Sequence, residues 1–178
     1  MGSRTVFLDR DGTIAPDASY CSRPEDFEVF PGAAEAVRLL NEHGFRAVVI
    51  TNQSGIARGY FDEEALARIH EKMLGELAEH GARIEAVYHC PHHPDDGCRC
   101  RKPGTALFER AAEELDIDFS GSFMVGDTQA DIDAGRAVGC RTVLVTTGPL
   151  QGSDVTHPAD HTAGSLLEAA RWIVRNAL

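Results

Sequence analysis

The chain has 178 residues, 43% hydrophobic and 25% charged, enough for one compact domain over 1–178 with a sizeable core but not for two. Seventeen basic against 28 acidic side chains leave a net charge of −11, which argues against a general nucleic-acid footprint, because a phosphate backbone demands a basic face. No apolar run nears the ~20 residues that a bilayer span requires, and an acid at position 9 interrupts any signal-peptide core, so a cytoplasmic protein, monomeric by default, is expected.

In chain order, Thr5–Leu8 is an apolar run that stops at Asp9 and predicts a strand. Ala33–His43 repeats apolar residues at helical spacing and is closed by Gly44. Arg46–Ile50 reads as a buried strand ending at Thr51. Glu63–His80 is an amphipathic helix with Asp62 as N-cap and Gly81 as terminator. Ile84–Tyr88 predicts a third strand, followed by an irregular Pro-, His- and Cys-rich stretch, His89–Pro103. Thr105–Leu115 is a helix, Ser122–Val125 a strand, Thr128–Val138 a helix, Thr142–Val145 a strand and Ser165–Asn176 a terminal helix.

Strands separated by helices imply an α/β fold: a Rossmann-like parallel sheet with helices on both faces. Ligands of such sheets bind beyond the carboxyl ends of the strands. Asp9 and Asp11, Thr51–Gln53, His89–Lys102 and Gly126–Asp127 each follow a predicted strand, so four polar clusters converge on one edge. Between Thr13 and Thr51 there is room for one helix and a loop, and no second domain fits there; in the family resembled below, that implies only a minimal cap over the site. Cys21 and Cys140 read as ordinary thiols, Trp172 as core packing, and His157, in the Gly/Asp/Pro-rich segment Gly148–Asp160, and His161 just after it as surface residues. Arg58 is left as either a ligand contact or a solvated side chain.

In Phe7-Leu8-Asp9-Arg10-Asp11-Gly12-Thr13, two carboxylates lie two positions apart at a strand end. They can share one site while facing different partners, one as nucleophile and the other as general acid and base. The segment resembles the DxDGT motif of the haloacid dehalogenase-like (HAD) phosphatases. Later motifs of that family are matched in order by Thr51-Asn52, by Lys102 in Arg101-Lys102-Pro103, and by Gly126-Asp127 with Asp131 beyond. The resemblance implies an Mg²⁺-dependent phosphoric monoester hydrolase. Its catalytic residues would be Asp9, Asp11, Thr51 and Lys102, and Asp9, Asp11 and Asp127 would hold the Mg²⁺. Asp131 then either orients metal-bound water or is a first-turn acid favoured by the helix dipole.

Cys90-Pro91-His92-His93-Pro94-Asp95-Asp96-Gly97-Cys98-Arg99-Cys100 carries three thiols and two imidazoles, with His89 just before it. Without an export signal, such clustering favours metal over disulfides, and a four-ligand thiol–imidazole set is the mark of structural Zn²⁺. Within the HAD phosphatases, DRDGT, CRKP and this loop resemble the D-glycero-D-manno-heptose 1,7-bisphosphate 7-phosphatases and the histidinol-phosphate phosphatases. That resemblance implies Cys90, His92, Cys98 and Cys100 as the zinc ligands. The run Thr51-Asn52-Gln53-Ser54-Gly55-Ile56-Ala57-Arg58-Gly59 favours the heptose branch, whereas the short His93–Cys98 interval is closer to the histidinol branch.

The resemblance thus implies removal of the 7-phosphate of a small phosphorylated sugar, through an aspartyl phosphate, in nucleotide-activated heptose synthesis. Arg10, Asp17, Ala18, Ser19, Tyr20, Asn52, Gln53, Ser54, Arg101 and Thr128 are then the expected substrate contacts. Arg101 would grip the distant phosphate, since a guanidinium suits bidentate recognition. Histidinol phosphate is the alternative substrate. A catalytically weak, zinc-stabilised binding module is the alternative of another class, and the intact Asp9, Asp11, Thr51, Lys102 and Asp127 argue against it.

Overall fold

The computed structural model describes residues 2–148 and 156–177; residues 149–155 of the Gly148–Asp160 segment lie outside the described residues. Its strands are β1 (Thr5–Leu8), β2 (Arg46–Asn52), β3 (Ala86–Cys90), β4 (Phe123–Gly126), β5 (Arg141–Val145) and β6 (His161–Ala163). The helices are α1 (Ala33–Glu42), α2 (Glu63–Glu79), α3 (Ala106–Leu115), α4 (Gln129–Val138) and α5 (Leu166–Asn176). The strands form one parallel sheet in the order β3-β2-β1-β4-β5-β6.

Both faces of the sheet are covered, which explains why the strands read as unbroken apolar runs. Alternate side chains of one strand enter different cores. Val6 and Leu8 of β1, with Ala47 and Val49 of β2, pack against α1, α2 and α5 through Val37, Ile69, Met73 and Ile173. Phe7, Val48 and Ile50 enter the opposite core with Phe108 and Ala111 of α3 and Ala134 of α4. Asp62 caps α2 by accepting from the Ala65 N–H at 2.8 Å, and Ser165 caps α5 by accepting from Glu168 at 3.2 Å.

Two expectations are corrected. The third strand starts at Ala86, not Ile84, because its ladder opens with Ala86 beside Val48; it runs on to Cys90, so His89 and Cys90 are strand residues. His161 is not a free surface residue. It opens the short strand β6, and its ring stacks on Trp172 with centroids 4.5 Å apart and planes within 2°. A three-residue strand, His-Thr-Ala, is too short to show periodicity. His93 caps the turn Pro94–Asp96, and His89 Nε2 lies 2.8 Å from Glu63, both partly exposed. Among the described residues no helix is long and apolar enough to cross a membrane. Between β1 and β2 the chain adds only the 3₁₀ turn Pro24–Asp26 and α1.

Candidate active site and metal centres

After β1 the chain moves to β2 on one side, and β4 lies on the other, so the sheet switches direction between β1 and β4. Crevices form at such points because the connections leave in opposite directions. A cavity of about 400 Å³ opens there, lined by Asp9, Asp11, Asp17, Ser19, Tyr20, Asn52, Gln53, Ser54, Arg101, Lys102, Asp127 and Thr128, together with Ala130 and Asp131. Of the residues expected to touch a ligand, Arg10, Ala18 and Thr51 do not line it. Ala18 is on the surface, and Thr51 lies just beneath the floor, its Oγ1 accepting from Gln53 Nε2 at 2.9 Å.

The floor is a buried charge cluster. Lys102 Nζ lies 2.9 Å from Asp9 Oδ1 and 2.6 Å from Asp131 Oδ1, and donates to the Ile50 carbonyl at 2.7 Å. Burial alone would lower the Lys102 pKa, but the charges of Asp131 and Asp9 overcome it and raise the value. Asn52 pins this lysine from β2: its Oδ1 accepts from the Lys102 N–H at 3.0 Å and its Nδ2 donates to the Lys102 carbonyl at 3.3 Å. Asp131 also joins Thr128 in a reciprocal capping box at the start of α4, so it combines the helix-end role with a charge contact in the site.

Asp9, Asp127 and Asp131 have carboxylate oxygens within 4.8 Å of one another. Burial, then repulsion by Asp131, raises the pKa of Asp9, and the same two causes push Asp127 up to about 6. With Lys102 shared between Asp9 and Asp131, the Asp9–Asp127 pair is short of positive charge. Hard carboxylate oxygens at this spacing fit Mg²⁺. The backbone makes room for them: a Cβ on Gly12 or Gly148 would overlap the Asp127 carboxylate, and Gly12 has φ +81°.

Asp11 faces the cavity above this floor. Its two oxygens accept from Arg10 Nε and Nη2, each at 2.9 Å, and Oδ2 accepts also from Gln53 Nε2 at 2.9 Å. Arg10 is only 1% exposed and sits behind the wall rather than on it. Its Nη1 donates to Nε2 of His70, a histidine of α2 whose pKa falls to about 3 through burial and the neighbouring guanidinium. His70 was missed in the sequence. The available signal was a polar residue on the buried face of α2, among Leu66, Ile69, Met73 and Leu77.

At the rim, Ser19 and Tyr20 adopt left-handed φ values of +47° and +71°. Non-glycine residues there carry strain of about 1 kcal/mol or more each, a feature concentrated at ligand sites. The Tyr20 ring meets Tyr60 edge-on at 4.9 Å, and the Arg58 guanidinium lies 5.6 Å above it. Arg58 therefore braces the rim loop. Arg101 lines the cavity, and its Nη1 is buried without a hydrogen-bond partner among the described residues.

Beside the cavity, Cys90, His92, Cys98 and Cys100 close into a knot. The three sulfurs are 3.1 to 3.6 Å apart, and His92 Nδ1 lies 3.1 Å from Cys100 Sγ and 3.5 Å from Cys90 Sγ. All three thiols are free. Zn–S bonds of about 2.3 Å give tetrahedral edges of about 3.8 Å, so the set fits Zn²⁺ after slight expansion. Burial, then Cys100, pushes Cys90 up to about 12; burial also opposes the Cys98 thiolate, but the Arg101 backbone and the other thiols bring it down to about 7.

A HAD-hydrolase-like family model matches residues 99–169. The D-glycero-beta-D-manno-heptose-1,7-bisphosphate 7-phosphatase of Haemophilus ducreyi is 38% identical over 97% of this chain and 100% of its own, and that of Photorhabdus laumondii is 40% identical over 97% and 96%. The crystal structure of D,D-heptose 1,7-bisphosphate phosphatase from B. bronchiseptica, complexed with magnesium and phosphate, superposes with a TM-score of 0.91 at 35% identity, covering 97% of this chain and 98% of that one.

Proposed function

The chain belongs to the HAD-like family of D-glycero-D-manno-heptose-1,7-bisphosphate 7-phosphatases, and from that premise we propose that it removes the 7-phosphate of the β-anomeric sugar bisphosphate in this cavity. The observation that carries the reading is the buried Lys102 held between Asp9 and Asp131, with Asp11 facing the same space. Asp9 attacks phosphorus and becomes an aspartyl phosphate. Asp11 gives its proton to the departing sugar oxygen, then takes one from the water that cleaves the Asp9–phosphorus bond. Lys102 and the Thr51 region balance charge on the phosphoryl oxygens. Arg101, whose buried Nη1 has no partner among the described residues, takes the distal phosphate.

Asp9, Asp127 and the backbone carbonyl of Asp11 are the residues that would hold Mg²⁺, which when bound neutralises the charge between nucleophile and phosphate. Cys90, His92, Cys98 and Cys100 would hold Zn²⁺, a cross-link that orders the loop leading into Arg101 and Lys102. One domain over 1–178, acting as a cytoplasmic monomer, completes the proposal on the sequence argument alone.

The direct test is phosphate release with Mg²⁺ from β- and α-heptose 1,7-bisphosphate and from histidinol phosphate. A kcat/KM preference of about 100-fold or more for the β-heptose over histidinol phosphate, worth about 2.7 kcal/mol, is expected. Preference for histidinol phosphate would refute the substrate reading, and preference for the α-heptose would refute the anomer.

The charge cluster gives a second prediction with a definite sign. Asp127 titrates near 6 in the folded metal-free protein, against 3.8 ordinarily. A raised folded pKa adds stability that is complete below the unfolded value and is lost as pH rises through the folded one. The metal-free protein therefore loses on the order of 1–3 kcal/mol across that window. Mg²⁺ offsets the exposed repulsion, so its stabilisation of the protein in thermal melts should be larger at about pH 7.5 than at about pH 5. An equal or reversed effect would remove the Asp9–Asp127 site.

A further inference from the structure

Arg10 stands between the two aspartates in sequence but behind them in space, and it is the largest charged side chain in the fully buried set. We propose that Arg10, backed by His70, is a positioning residue that fixes the Asp11 carboxylate for proton transfer, and is not a ligand of the substrate. The inference rests on the reading of Asp11 as the general acid and base.

Residue 10 is held at every point. Its N–H donates to Asp9 Oδ1 at 2.8 Å, and its carbonyl accepts from the N–H groups of Ile14 and Ala15 at 2.9 and 3.0 Å. The guanidinium lies against the Phe27 ring at 5.6 Å, and His70 Nε2 receives Nη1 at 3.2 Å. A guanidinium only donates, so His70 presents an unprotonated Nε2. Its ring cannot compete with Asp11 for a proton in this geometry.

The remaining edge of the fork meets Asp11 with two parallel hydrogen bonds, which fix the plane of the carboxylate as well as its position. A lysine would supply the charge without the plane. Oδ2 takes a further hydrogen bond from Gln53, whereas among the described residues Oδ1 has Arg10 alone. Oδ1 is thus the oxygen left with capacity to carry the moving proton. In the first step its proton passes to the bridging oxygen as the sugar–oxygen bond to phosphorus breaks and the Asp9–phosphorus bond forms. In the second step Oδ1 receives a proton from water as the water oxygen bonds to phosphorus and Asp9 is released.

Leaving-group dependence separates positioning of a general acid from plain structural damage. A sugar alkoxide needs the proton; 4-nitrophenolate leaves without it. The quantity to compare is kcat/KM, which reports steps up to departure of the alcohol, for the heptose bisphosphate and for 4-nitrophenyl phosphate. Asp11→Asn should raise the aryl-to-sugar ratio by about 100-fold or more, the scale of general acid catalysis. Arg10→Lys should raise it by about 10-fold or more in the same direction, with the inhibition constant of the heptose 1-phosphate product within about 3-fold of wild type. His70→Leu should follow more weakly, and His70→Gln, whose amide oxygen can still accept from Arg10, should recover most of that change.

If Asp11→Asn loses both substrates equally, the reading of Asp11 fails. If Asp11→Asn is selective and Arg10→Lys is not, or if Arg10→Lys weakens product binding instead, the Arg10 inference alone is overturned. Should Arg10→Lys fail to fold, the His70→Leu and His70→Gln pair decides by itself, because both keep the Arg10–Asp11 pair. Equal ratios in those two variants would then overturn the inference.

Discussion

Asp9→Asn is expected to leave a folded protein that hydrolyses the sugar bisphosphate at least about 10⁴-fold more slowly, the scale seen when a covalent nucleophile is removed. The amide has nearly the shape of the carboxylate but cannot attack phosphorus. Stability should hold, because burial and repulsion by Asp131 already work against a charge at this position. Lys102 keeps its contact with Asp131, so no uncompensated ammonium is left behind. Thermal melts without added metal should therefore show a midpoint no lower than wild type. Turnover within about 100-fold of wild type, with the substitution verified by mass, would mean that another group is the nucleophile.

Removing zinc is expected to have the second-largest effect. Apart from the metal ligands, few contacts hold Pro91–Arg99 among the described residues: the Pro94–Asp96 turn, the Ala57 N–H on the Pro91 carbonyl, and at its end the Ala106 N–H and Glu109 on Arg99. Structural zinc contributes about 10–16 kcal/mol in isolated finger peptides. Here the two cores stand without it, so a smaller part reaches global stability. We expect the melting midpoint to fall by about 10 °C or more after chelation, since each kcal/mol moves a protein of this size by about 2–4 °C. Activity should fall about 100-fold or more, because the loop feeds directly into Arg101 and Lys102 and misplacement of about 1 Å at such groups costs that much. One zinc per chain by metal analysis, with recovery of both midpoint and activity on adding zinc back, is the expected result. A chain that carries no zinc and is indifferent to chelation would refute it.

The same loop shows where sequence and structure divide the information. Three cysteines within eleven positions announce a metal site by number and spacing alone. Which imidazole completes it does not follow from spacing, because His89, His92 and His93 are all within reach of the thiols along the chain. Three-dimensional placement separates them: strand β3 directs His89 to Glu63, and the turn after Pro94 uses His93 as its cap. His92 Nδ1 is the nitrogen left among the sulfurs. Asp131 is a parallel case. Its sequence position allows a first-turn helix role or a role toward metal-bound water, and the fold places it in the capping box of α4 and also 2.6 Å from Lys102.

Local rules determined what depends on neighbours in the chain. Apolar runs between helices define a parallel sheet, caps at Asp62, Thr128 and Ser165 start helices, and polar residues after strands mark the edge where a site forms. Element ends shifted by one or two residues, as at Ile84, because a strand begins where its partner offers ladder hydrogen bonds. The three-residue β6 and the role of His161 were invisible for the same reason: their stability comes from β5 and Trp172, not from their own sequence. The tertiary structure alone decided which way each functional side chain faces. Arg10 carries the charge expected of a phosphate ligand, yet the fork of Asp11, the His70 nitrogen and the Phe27 ring hold it behind the cavity. A buried charge takes the partners that satisfy it, and beyond the adjacent Asp11 two of them, Phe27 and His70, come from 17 and 60 residues away in the chain.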